Sequence, residues 1–152
     1  MSIWKISRAS HAQSVSLDSL TIDVPAGRTL RVLAAKAIGM ASAAASGAEL
    51  GVFRVTTVGS GGSPTSYTLK NIDPNGVSAP SGFTAKSGYS TQPTIESDPM
   101  IRLAIQPLGG QDRESPIPGA EVVFWSASAY QVSVRGISGT PNVVLELTLE
   151  LS

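Results

Sequence analysis

The chain has 152 residues, a length that suits one domain. Its 11 Lys and Arg balance 11 Asp and Glu, and charged residues make up only 14 %, against about 25 % in an ordinary soluble domain. Zero net charge, with basic residues scattered singly from Lys5 to Arg135, argues against nucleic acid as a partner; the lack of cysteine excludes disulfides, thiolate chemistry and Cys-ligated metal.

Period-2 alternation runs through the chain, as in strands with one buried face. Ile3 to Ile6 is a short candidate. Leu20, Ile22 and Val24 alternate with Thr21 and Asp23; Leu30, Val32 and Ala34 alternate with Arg31 and Leu33. Between these, Val24-Pro25-Ala26-Gly27 reads as a tight turn, because proline presets φ and glycine tolerates φ > 0. Ala37 to Ala48 is Ala- and Ser-rich and fits either helical turns or a small-residue strand and loop. Phe53, Val55 and Thr57 oppose Arg54 and Thr56. Gly59 to Pro64 follows as a glycine-rich connection, expected to close a hairpin with Tyr67 to Ile72.

The segment Asp73 to Pro99 contains Pro74, Pro80, Pro93 and Pro99 and is expected to be one long loop or arm. Beyond it, Ile101, Leu103 and Ile105 oppose Arg102, Ala104 and Gln106, and Val122 to Trp125 is a short strand. Tyr130, Val132 and Val134 oppose Gln131, Ser133 and Arg135. Turns are expected at Asp73 to Gly76, Pro107 to Gly110 and Ser138 to Pro141. In the last strand, Val143, Leu145, Leu147, Leu149 and Leu151 share a face, so the C-terminus should be tied down. Eight or nine strands separated by turns predict an all-β fold, an antiparallel β-sandwich.

Catalytic constellations are poorly supported. A serine triad needs an oriented histidine; only His11 exists, and no Gly-x-Ser-x-Gly elbow is present. Gly59 to Pro64 lacks the Lys-Ser/Thr ending of a phosphate loop. Glu96 and Asp98, and Asp112 and Glu114, each share a face of an extended chain, but calcium needs six to eight oxygens and neither pair matches a known loop. Solvated loop charges explain both pairs, with Arg113 offsetting the second. No catalytic residue, cofactor or metal is therefore expected. No apolar run reaches the roughly 18 residues of a membrane span, and Met1 to Lys5 lacks the apolar core of a signal peptide.

Interaction is the better-supported theme. In Val122-Val123-Phe124-Trp125, successive side chains point to opposite faces, so Phe124 and Trp125 cannot both enter one core. Val143-Val144 and Val52-Phe53 repeat the conflict. Either a loop of the same chain or another subunit must cover the second face. Trp4, Tyr89 and Trp125 are also candidates for stacking on sugar rings, although aromatics more often fill a core or an interface. Phe124, Trp125, Tyr89 and Trp4 are thus the interface candidates.

The chain resembles small phage virion proteins of β-sandwich or jelly-roll form, of the capsid decoration (cement) type. The resemblance rests on the turn Val24 to Arg28, the strand Glu49 to Thr57, and the loop from Phe83-Thr84-Ala85-Lys86 through Thr91-Gln92-Pro93-Thr94. It continues through Leu108 to Gln111, Pro118 to Glu121, Val132 to Val134 and the alternating C-terminal strand. It implies a jelly-roll-like protein without an active site, made in the host cytoplasm. Such a protein self-associates, as a trimer, and binds the major capsid protein on the outside of the virion head. A glycan- or receptor-binding module of a tail or fibre is the alternative.

Overall fold

A computed structural model describes residues 2–40, 47–73, 75–106, 111–114 and 121–152. They form an all-β, antiparallel sandwich of two sheets. The first sheet holds β1 (Ile3–Ala12), β3 (Thr29–Met40), β6 (Lys70–Asn71), β10 (Gln111–Glu114), β11 (Val122–Trp125) and β13 (Asn142–Leu151). Its order is β10-β3-β13-β1-β6, with β11 also on β3. The second holds β2 (Asp18–Val24), β4 (Ala48–Thr57), β5 (Thr65–Tyr67), β7 (Thr84–Ser87), β8 (Thr94–Ile95), β9 (Ile101–Ile105) and β12 (Tyr130–Ser138). Its order is β5-β7-β2-β12-β4-β8, with β9 also on β4.

The core is made by the alternating residues. In β13 all five predicted apolar residues are buried, and the intervening Val144, Glu146, Thr148 and Glu150 are half-buried on the outer face. Ser152 and Thr29 exchange backbone hydrogen bonds of 2.7 and 3.0 Å, which ties the last residue to the start of β3. Strand β3 keeps its core face through a bulge. Thr148 pairs with Ala34 but Leu149 pairs with Val32, so the buried set shifts from Leu30 and Val32 to Ala35 and Ala37. An extra residue in one strand has this effect on a period of two. The strand reading of Ala37 to Ala48 holds at both ends; residues 41–46 lie outside the described residues, as do 107–110 and 115–120.

Three expectations are corrected. The Gly59 to Pro64 connection does not close a hairpin: β5 pairs with β7 and β4 with β12, β8 and β9, so the chain passes over the intervening strands. Tyr67 to Ile72 is not one strand, since β5 and β6 lie in different sheets and the chain crosses between them at Thr68-Leu69. Asp73 to Pro99 is not a structureless arm. It contains β7, which pairs with both β2 and β5, and β8, which pairs with β4. The backbone groups along β2 and β4 need partners, and this segment supplies them.

Candidate interaction surface

Strand β11 is the outermost element beside the first half of β3, pairing Val123 with Arg31, Phe124 with Leu30 and Trp125 with Thr29. Alternation sends Phe124 into the core, 2 % exposed, and sends Val123 and Trp125 outward, at 39 % and 64 %. Trp125 borders a cleft of about 210 Å³ lined by Arg54, Val55, Ser126, Tyr130 and Gln131. Both sheets contribute to it, β11 from one side and β4 and β12 from the other. The Tyr130 hydroxyl donates to the Phe124 carbonyl, and burial pushes its pKa up to about 12. Tyr130 therefore stays neutral and pins the turn between β11 and β12, which holds Trp125 in place.

The other two-faced sites are resolved within the chain. Phe53, 4 % exposed, folds its ring over Gly51 beside Pro99. A Cβ on Gly51 would lie 2.7 Å from that ring and 2.9 Å from Pro99, so glycine is required there. Val143 faces the core, and Val144 lies half-buried on the outer sheet face. Among these described pairs, Val123 and Trp125 are the side chains left exposed, while Val144 is half-buried.

Tyr89 is half-buried, not an open platform. It belongs to a cover made of two segments joined by backbone bonds of 2.9 and 3.0 Å between Ser60 and Thr91. The cover lies on the outer face of β2 and β12, whose Thr21, Ser133 and Arg135 are buried beneath it. Arg135 Nε donates to Asp18 Oδ1 at 2.6 Å, and its Nη2 donates to the Pro93 carbonyl at 2.7 Å. Thr21 Oγ1 donates to Asp18 Oδ2 at 2.7 Å, and the Asp18 N–H donates to Gln92 Oε1 at 2.8 Å. Gln131 takes the Gly59 N–H at 2.7 Å and donates to Asp23 at 2.8 Å.

Asp23 is the second hub. It accepts from Thr84 at 2.6 Å and from the Tyr89 hydroxyl at 3.2 Å, and pairs with Lys86 at 3.2 Å. Burial alone would raise its pKa, but the hydrogen bonds from Thr84, Gln131 and Lys86 and the Lys86 charge outweigh this and hold it below the ordinary carboxylate value. Burial, with the Asp23 charge adding to it, pushes Tyr89 up to about 12. Every polar partner in this network is another part of the chain, so it acts as a clamp on the cover. Sequence reasoning missed it because polar residues alternating with apolar ones read as solvent-facing. The available signal was the pairing of Asp and Arg with amide residues on strands opposite a long proline-rich segment.

The remaining candidates fall elsewhere. Trp4 is 2 % exposed in the core between β6 and β13, so its side chain, like that of Phe124, is removed from the interface set. His11 is half-buried; its Nδ1 lies 3.0 Å from the Ala9 carbonyl, and burial followed by the Arg8 charge lowers its pKa. Its Nε2 is buried without a hydrogen-bond partner, so neither ring nitrogen meets a serine or an acid among the described residues. Asp112 accepts from the Ala104 N–H at 2.8 Å, while Glu96 and Asp98 are exposed. Among the described residues, no group of three or more His, Cys, Asp or Glu is arranged to hold a metal ion. No family model, curated protein or solved structure matches the chain.

Proposed function

We propose that this protein is a structural, non-catalytic virion component, a capsid decoration protein that self-associates, as a homotrimer, and docks on the major capsid protein. Trp125, 64 % exposed beside Val123 on the outermost strand of a charge-poor chain, is the observation that carries the reading. Aromatic enrichment with charge depletion suits an interface core. Burial contributes about 25 cal/mol per Å² of apolar area, offset by the entropy cost of association. The strand order supports a jelly-roll reading of the sandwich. Strands β1-β13-β3-β10/β11 form one sheet and β2-β12-β4-β9 the other, so β1 to β4 alternate between sheets and β12 and β13 return between them. Synthesis in the host cytoplasm and residence on the outer capsid surface follow from the same reading.

Light scattering on the wild type should give a trimer mass, and the protein should co-sediment with empty capsids. Trp125→Ser should lower the mass and abolish co-sedimentation while leaving the far-UV circular dichroism of the folded protomer unchanged. A wild type that is monomeric and ignores every shell overturns the proposal.

A second reading, a glycan-binding module, is favoured by the cleft beside Trp125, where Arg54, Ser126 and Gln131 stand next to an exposed indole. Glycan-array binding abolished by Trp125→Ala would select it. Tyr89 is the weaker platform, because its hydroxyl is held by Asp23.

A further inference from the structure

We infer a second ligand site, independent of Trp125: a groove on the outer face of the first sheet that binds an acidic, carboxylate-bearing oligosaccharide. The groove occupies about 700 Å³ and is lined by Lys5, Ser7, Ser66, Tyr67, Thr68 and Lys70 together with Glu146. That volume lies within the roughly 300–1,000 Å³ of ligand sites. A second cleft of about 350 Å³ shares Lys5, Ile72 and Glu146 with it and adds Lys36 and Arg113. The two form one trough across the sheet.

Its charge is segregated. The pairing registers set Arg113 opposite Lys36, Lys36 opposite Glu146, and Lys5 opposite Lys70. Four cations thus face one carboxylate, Glu146, which Lys5 bridges at 3.2 Å. In a chain with 11 basic residues and no net charge, this places four of them in one trough. Like charges directly opposite across strands are destabilising. The fold carries two such pairs, one on each side of β13, with Glu146 between them, an arrangement that an anionic ligand relieves.

The remaining lining selects a sugar chain. Ser7, Ser66 and Thr68 offer hydroxyls to a hydroxyl-rich ligand, and Ile72 is the one large aliphatic side chain among the described lining residues. Tyr67 is held rigid: its hydroxyl lies 2.9 Å from Ser87 Oγ, and the Arg8 guanidinium sits 5.6 Å from its ring centroid. A fixed aromatic among polar groups suits a sugar ring. An acidic peptide would lack apolar pockets for its other side chains, and β6 already pairs with Trp4 and Lys5 on the part of the β1 edge that strand addition beside Lys70 would need.

The test is calorimetric titration of the full chain with a galacturonic-acid oligosaccharide at low salt. Maltohexaose, poly-L-glutamate and a single-stranded oligodeoxynucleotide run in parallel. The galacturonate oligomer should bind, and added salt should weaken it. Lys70→Gln and Arg113→Gln should each weaken binding about tenfold, the scale of one charged hydrogen bond. Lys70→Gln should also melt no lower than wild type, because it removes a repulsive pair. Trp125→Ala should bind as wild type does, which separates this site from the surface proposed above. Absence of binding, equal binding by maltohexaose, polyglutamate or the oligonucleotide, unchanged affinity in both charge variants, or loss on Trp125→Ala would each overturn the inference.

Discussion

The two tryptophans show how much a residue's environment decides. Trp4 sits in the core with Nε1 unpartnered, whereas Trp125 stands in solvent on a rim strand. Trp4→Ala should cost about 3–5 kcal/mol in urea denaturation, as for large-to-small changes in a packed core. At concentrations where the chain is a monomer, Trp125→Ala should cost less than about 0.5 kcal/mol, because it leaves no cavity in the protomer. The ion pair under the cover behaves differently again. Asp18 is fully buried and Arg135 is 10 % exposed. Removing one partner strands the other, so Arg135→Met should cost about 3–5 kcal/mol. The double variant Asp18→Leu/Arg135→Met should recover a large part of that loss in the same denaturation series; no recovery would show that the pair is not what holds the segment.

At the scale of elements, close approach and bulges govern which residues are permitted. Gly39 lies where the chain leaves β9: a Cβ there would sit 2.0 Å from the Gln106 carbonyl oxygen. Gly39→Ala should therefore destabilise by about 1–3 kcal/mol or more by overpacking, read as a lowered urea midpoint with unchanged slope. The cover is the other element with its own prediction. It is held through Asp18, Asp23, Gln92 and Gln131 rather than through an apolar face. Gln92→Ala should raise amide exchange at Ser60 and Thr91 while leaving β13 protected. Uniform exchange across both would mean that cover and sandwich open together.

At the scale of the whole molecule, stability should fall at both ends of the pH scale through the same hub. Asp23 has a lowered folded pKa, so its contribution is present above the ordinary value of about 3.9 and is lost as pH falls through the folded value. Tyr89 has a raised folded pKa. Its contribution is present below the ordinary value of about 10 and is lost as pH rises through about 12. Urea midpoints should be flat from above the ordinary histidine value of about 6.5, below which the lowered pKa of His11 adds a fall of its own, up to about 10, and Tyr89→Phe should remove the alkaline fall specific to this hub without moving the acid one. The sparse charge has the same molecular reach. It leaves little repulsion against close packing of copies, yet it gathers four cations into one trough.

The strands were legible in the sequence wherever one face met the core and the other met water. Strand β13, the inward faces of β2 and β12, and the opposed Phe124 and Trp125 follow from side-chain alternation alone, because a pleated chain leaves its residues no other choice. The outward neighbours were not legible. Thr21, Ser133 and Arg135 have the polarity of exposed residues and are buried, because a segment distant in sequence lies over them; Arg135 bonds Asp18 and the Pro93 carbonyl, Thr21 bonds Asp18, and Ser133 Oγ has no partner among the described residues. Tyr67 to Ile72 reads as one short strand and is shared between two sheets. Lys5, Lys36, Lys70 and Arg113 are scattered in sequence and meet only through strand register. Local physics determines which way each side chain points; only the tertiary structure decides what it meets there.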